Sequence, residues 1–146
     1  MAITTNAICN SFKKELLQAD HNFDTSGNGG NIFKLALYTS TATLGKSTTS
    51  FTTGGQVTSP AGYTSGGKAL VNTGTSLSVN TAITNYSNLS FTGVTLTARG
   101  ALIYNTSNSN TAVCVLDFGG DKTATAGTFT VQFPAFTSTA AILRIS

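Results

Sequence analysis

Apolar side chains recur at every second position through several stretches of this chain, and glycine-, serine- and asparagine-rich segments keep each stretch short. Phe33, Leu35 and Leu37 alternate with Lys34, Ala36 and Tyr38. Phe129, Val131 and Phe133 alternate with Thr128, Thr130 and Gln132, and Pro134 ends the run. A period of two places alternate side chains on opposite faces of a pleated strand, one face buried and one wet. Many short strands separated by turn signals imply two packed sheets or a barrel. The expected fold is therefore mainly β: a single β-sandwich, jelly-roll-like, over about 31–146.

The first residues follow a different period. Ile8, Phe12, Leu16 and Ala19 have helical spacing, with Cys9 and Leu17 beside the stripe and Lys13, Lys14, Glu15 and Gln18 mainly on other faces. Thr5 or Asn6 is placed to cap the first turn. This predicts one N-terminal α-helix over about 6–19, stopping near Asp20-His21-Asn22. The glycines of Asp24-Thr25-Ser26-Gly27-Asn28-Gly29-Gly30 cost too much backbone entropy for a regular element, so this stretch reads as a loop.

Between Thr39 and Gly67 the chain is mostly Thr, Ser and Gly, with Leu44, Phe51, Val57 and Tyr63 as isolated apolar points. One or two short strands are expected around Phe51–Val57, then a turn at Ser59-Pro60-Ala61-Gly62. Further strands are expected at Lys68–Val71 and around Leu77 and Val79. Leu89-Ser90-Phe91 and Val94-Thr95-Leu96 alternate around Gly93, a candidate bulge. Gly100–Tyr104 and Ala112–Leu116 flank a polar loop at Asn105–Asn110, which predicts a hairpin of central strands. Asp117-Phe118-Gly119-Gly120-Asp121 reads as a turn, with Asp bonding its own backbone. Ala141–Ile145 is expected to form a last strand.

At 146 residues the chain fits one domain, 1–146, able to fold without disulfides or metals. No apolar run is long enough to span a bilayer. The start, Met1–Asn6, lacks the basic cluster and apolar core of a signal peptide. These features imply a protein with no export signal of its own that joins no membrane.

Charge narrows the function. Asp, Glu, Lys and Arg make up 9% of residues, against roughly 25% in an average soluble domain. Interface cores are likewise poor in charge, and a hydroxyl-rich neutral surface costs little to desolvate. The composition implies a surface meant to be covered by copies of the same chain. The basic residues Lys13, Lys14, Lys34, Lys46, Lys68, Arg99, Lys122 and Arg144 are scattered rather than gathered into a stripe, so no nucleic-acid partner is expected.

Groups for catalysis are few. His21 is the sole histidine, and its position just past a helix end predicts a solvated ring rather than a metal ligand. Glu15 is the only glutamate, too few for a carboxylate pair. Asp20, Asn22, Asp24 and Asn28 are too loosely spaced for a calcium loop. Gly54-Gly55, Gly66-Gly67 and Gly119-Gly120 lack the strand-to-helix setting of a phosphate loop. Cys9 and Cys114 are read as buried free thiols, with a bridge between them as the alternative. Asn85-Tyr86-Ser87, Asn88-Leu89-Ser90 and Asn105-Thr106-Ser107 match the glycan-acceptor triplet, as chance allows in such a composition. No catalytic, cofactor-binding or metal site is expected.

Five stretches together carry a resemblance: Ala7–Leu17, Lys34–Ser40 with Ala42-Thr43-Leu44, Gly62–Gly67, Ala98–Asn105 and Gly127–Pro134. Nearly the whole chain resembles a family of small proteins of tailed bacteriophages and related bacterial elements, uncharacterised or virion-structural. The resemblance implies a structural role in a virion or extracellular assembly, with other phage structural proteins as partners, and brings no active site.

Two functions are thus expected of different kinds. One is a self-assembling structural subunit of a particle, tube or fibril, its contacts made by the helix, the Thr39–Thr53 segment and the C-terminal strand. The other is a β-sandwich that binds host-surface glycans or decorates a capsid, with Tyr38, Tyr63, Tyr86 and Tyr104 as stacking faces.

Overall fold

The computed structural model describes residues 3–58 and 60–146. Eight strands and one α-helix form two antiparallel sheets packed as a β-sandwich. The strands are β1 (Ala7–Ile8), β2 (Phe33–Tyr38), β3 (Lys68–Ala69), β4 (Asn72–Ser78), β5 (Thr81–Tyr86), β6 (Leu89–Asn105), β7 (Thr111–Val131) and β8 (Leu143–Ile145); the helix is α1 (Asn10–Leu17). The larger sheet has the order β1-β7-β6-β2-β3 and the smaller β4-β5-β8.

The long hairpin β6–β7 is the frame. Its Asn105–Asn110 turn lies where the polar loop was expected, and β6 and β7 run centrally in their sheet. Phe91, Val94, Leu96 and Ala98 bury one face of β6, while Leu102, Ile103, Val113 and Val115 are buried at its sheet-covered end. Gly93 has φ +63° at a register shift between Phe91 and Val94, the bulge its position implied. Tyr86 of the small sheet meets Phe33 of the large one at 5.8 Å between ring centroids, so aromatic contact crosses the sandwich. Burial of this apolar surface is the main stabilising term.

Several expectations are corrected. The helix is shorter than 6–19, because Ala7 and Ile8 pair with Val115 and Cys114 as a strand. The ladder bonds of a sheet edge outweigh the helical spacing there. Cys9 accordingly lies just ahead of the helix, with its N–H donated to the Val113 carbonyl. The segment Phe51–Val57 forms only isolated bridges, Tyr38 with Gln56 and Ser50 with Thr111; its backbone instead straps the core through bonds such as Phe51 N–H to the Asn110 carbonyl. The turn over 59–62 lies partly outside the described residues; Tyr63 N–H closes it on the Pro60 carbonyl. Val79 falls in the two-residue turn after β4 rather than on a strand.

Asp117–Asp121 bends the β6–β7 ribbon without ending a strand: the Phe118 and Phe129 ring centroids, on opposite sides of the bend, lie 6.0 Å from each other. Strand β7 continues through it, but the pairing changes from Gly100 with Asp117 to Ala98 with Lys122, so four residues, Phe118–Asp121, oppose Arg99 alone. Asp117 does bond its own backbone there, its Oδ1 accepting Gly119 N–H at 2.9 Å, and Gly119 has φ +75°. The local chemistry of a turn is present, absorbed into a wide bulge.

Candidate functional site

The groups that catalysis would need are dispersed or engaged. His21 is buried, contrary to the solvated ring expected of it. Its Nε2 is 2.8 Å from Glu15 Oε2 and its Nδ1 is 3.0 Å from Asn105 Nδ2. The ring lies among Phe12, Phe23 and Phe33, whose centroids are 4.9, 6.2 and 6.3 Å away. Asn105 is also fully buried. Its Nδ2 donates to Asn31 Oδ1, and its Oδ1 accepts Ser107 N–H. This cluster ties α1 and the following loop to the end of β6, and its partners leave no face of the ring open to a ligand.

The two thiols are free and buried. Burial, with a smaller contribution from the Glu15 carboxylate, pushes the Cys9 thiol up to about 11; burial and the neighbouring Cys9 push Cys114 up to about 12. Both are protonated at neutral pH, so neither supplies a thiolate nucleophile. The Gly119 amide, then the Arg99 guanidinium, holds the Asp117 carboxyl below its usual range. In the 20–31 loop, Asn22 Oδ1 accepts Asp24 N–H and Asp24 Oδ1 accepts Thr25 N–H. Among the described residues, no three His, Cys, Asp or Glu side chains converge as metal ligands.

The four tyrosines are buried and offer no stacking face. Tyr38 donates to the Thr52 carbonyl, Tyr63 to Gln56 Oε1 and Tyr104 to the Gly66 carbonyl. Tyr86 packs between Phe33 and Phe133.

What the surface does present is open sheet edge and uncharged apolar area. No strand pairs with the outer side of β7 beyond Val115 among the described residues. That edge carries no charge or proline from Thr123 to Val131. Beside it runs a groove of about 600 Å³ lined by Phe118, Lys122, Ala124, Thr128 and Phe129 among others, with Lys122 its one charged residue. On the small sheet, Leu77 is directly opposite Ala82, and Ala82 directly opposite Ile145. Directly opposed residues share a face, so the three make one row. Leu77 is 72% exposed and Ile145 59%, and Val79 in the adjoining turn is 88% exposed. From Ala69 to Ala98, which includes β4 and β5, the chain has no Asp, Glu, Lys, Arg or His.

Of the three contact elements expected from sequence, the helix exposes Leu17 at its end. The Thr39–Thr53 segment buries Ala42 and Leu44 against the core. The C-terminal strand contributes Ile145 to the row but sinks Leu143 into the core. Sequence reading placed Leu77, Val79 and Ile145 on or near strands without bringing them together, because strand pairing across β4, β5 and β8 is long-range information.

Among the described residues, no helix is long and apolar enough to cross a membrane. Compared with protein-family models, with curated proteins and with solved structures, the chain matches none of them.

Proposed function

We propose that this chain is a non-enzymatic structural subunit that packs into a homopolymer. The supporting observation is the open edge of β7, charge-free from Thr123 to Val131, lying over a groove of threonines and phenylalanines with Lys122 at one end. Natural proteins usually guard such edges with lysine, proline or a covering element, because unpaired backbone N–H and C=O groups recruit another strand. Here the guards are bulges at Phe118–Asp121 and near Ala126, and a single lysine, Lys122, at the start of the edge. An edge left open in this way suits addition of a strand or loop from another copy. A virion-type role in a tailed phage or related element is the setting that the sequence resemblance implies.

The test is negative-stain electron microscopy and light scattering of the purified chain at rising concentration. Rings, tubes or fibres are expected. Thr128→Lys places a second positive charge in the groove, beside Lys122 and at an exposed position, and should abolish them while leaving the melting curve unchanged. Single molecules at high concentration, with no ordered species, would overturn the proposal.

A further inference from the structure

We infer that the tip of the β4–β5 hairpin, together with Ile145 of β8, is an isologous contact that joins two copies of this chain about a two-fold axis. The inference takes its partner from the homo-assembly reading but concerns a different surface from the β7 edge.

Three observations carry it. The row Leu77–Ala82–Ile145 follows one that is buried on β5 and β8 and exposed only at Thr75 of β4. Thr75, Thr84 and Leu143 are opposed across the same three strands, and Thr84 and Leu143 are buried. On β5 and β8 the face that enters the core therefore runs on beyond its cover, and its last row has no partner among the described residues.

The turn is built at a cost. Val79 has φ +56°, in the first position of the two-residue connection between Ser78 and Thr81. Left-handed backbone at that position favours glycine, and a β-branched residue there is strained. Yet this valine is almost fully solvated. Neither local geometry nor the chain's own core calls for an apolar side chain at that point; a contact made by another molecule does.

Charge selects the occupant. In an isologous contact each group meets the same surface patch on its partner, so any lone charge lies near its twin. Like-charge juxtaposition is costly. The stretch Ala69–Ala98 holds no such charge. Arg144, between Leu143 and Ile145, alternates to the opposite face, where its guanidinium donates to the Ser138 carbonyl at 3.4 Å. The patch is thus compatible with itself. A membrane surface is the less suitable partner, since the hairpin carries no Lys, Arg or Trp to meet lipid headgroups.

The test is sedimentation equilibrium of the full chain, carried out in the Thr128→Lys background so that polymers do not obscure a dimer. Leu77→Ser, Ile145→Ser and Val79→Gly are compared with it. A dimer is expected, with each substitution raising its Kd about tenfold or more. Val79→Gly has a second signature: it relieves the strained turn, so the same variant should melt higher while associating more weakly. A dimer whose Kd none of the three changes would overturn this contact and leave homo-assembly standing. A monomer in the Thr128→Lys background, from a parent that still polymerises, would overturn the contact alone. Absence of any self-association in the parent chain would overturn both readings. Binding to vesicles of phosphatidylglycerol and phosphatidylcholine without dimerisation would assign the patch to lipid and overturn the contact.

Discussion

His21 Nε2 sits 2.8 Å from Glu15 Oε2, and this pair pins the helix to the loop that follows it. The other ring nitrogen faces Asn105 Nδ2, and the direction of that bond follows from two backbone amides. Ser107 N–H must donate, so it fixes Asn105 Oδ1 as the acceptor and turns Nδ2 toward His21. Asn22 N–H likewise fixes Asn31 Oδ1 as the acceptor that takes the second Asn105 proton. His21 Nδ1 is therefore unprotonated, and Nε2–H donates to the carboxylate. Long-range nitrogen–proton correlation spectra at neutral pH should show the Nε2–H tautomer. The Nδ1–H form would contradict the bonding order.

The same cluster predicts a large effect of substitution. His21→Ala removes a buried ring and strips partners from a carboxylate and an amide that have little access to water. The expected loss is about 3 kcal/mol, combining cavity formation with unpaired polar groups. Equilibrium urea unfolding measures it; a loss below about 1 kcal/mol, the range of ordinary surface changes, would mean that the cluster contributes little.

Ala19 offers the opposite sign. It has φ +61° directly after the helix, with Ala19 N–H bonded to the Leu16 carbonyl and Asp20 N–H to the Glu15 carbonyl. This is a Schellman ending with alanine at the position that favours glycine. Ala19→Gly should stabilise the protein by about 1 kcal/mol, since a Cβ in left-handed backbone costs that order. A higher thermal midpoint is the readout.

The thiols give an alkaline limit. Cys9 holds its proton up to about 11 and Cys114 up to about 12, against the ordinary thiol value of 9.0. Between these values the unfolded chain has lost protons that the folded chain retains, so stability falls as pH rises. Below the unfolded value the effect is absent. Urea midpoints should decline from near pH 9 upward, with a slope approaching about 1.4 kcal/mol per pH unit for each thiol. A Cys9→Ala, Cys114→Ala double variant should show a shallower decline. At neutral pH, thiol reagents should react only as fast as the protein opens.

Removal of Ala141–Ser146 is a poor probe of assembly, because Ala141 and Leu143 are buried. The deletion should unfold or strongly destabilise the small sheet, seen as lost near-ultraviolet dichroism. Leu143→Ala alone should cost about 2–4 kcal/mol. Ile145→Ser, at an exposed position, should leave the fold intact.

Strand content was legible wherever apolar residues alternated without interruption, as in Phe33–Leu37 and around Phe129. The turn at Asn105–Asn110 was legible from its polar run. Position along the chain did not disclose what happens to Asn105 and His21, which look like solvated loop residues until the fold brings α1 against the end of β6. Ile8 has helical spacing with Phe12 but pairs with Cys114, a partner more than a hundred residues away. Phe118–Asp121 has turn chemistry and the β6–β7 ribbon bends there, bringing Phe118 within 6.0 Å of Phe129 between ring centroids, yet both flanking segments keep the same neighbour, β6, so the strand is bent rather than ended. The exposed row Leu77–Ala82–Ile145 depends on two strand registers that no local pattern encodes.

The bulge opposite Arg99 also bears on how the chain avoids misalignment. Thr and Ala alternate so evenly through Thr123-Ala124-Thr125-Ala126 that a slide of two residues would present nearly the same side chains to β6. The excess residues at Phe118–Asp121 act like the offset teeth of a key. The pairing on one side of them is out of step with the pairing on the other, so no single sliding movement satisfies both, and a repetitive ribbon acquires one closed alignment.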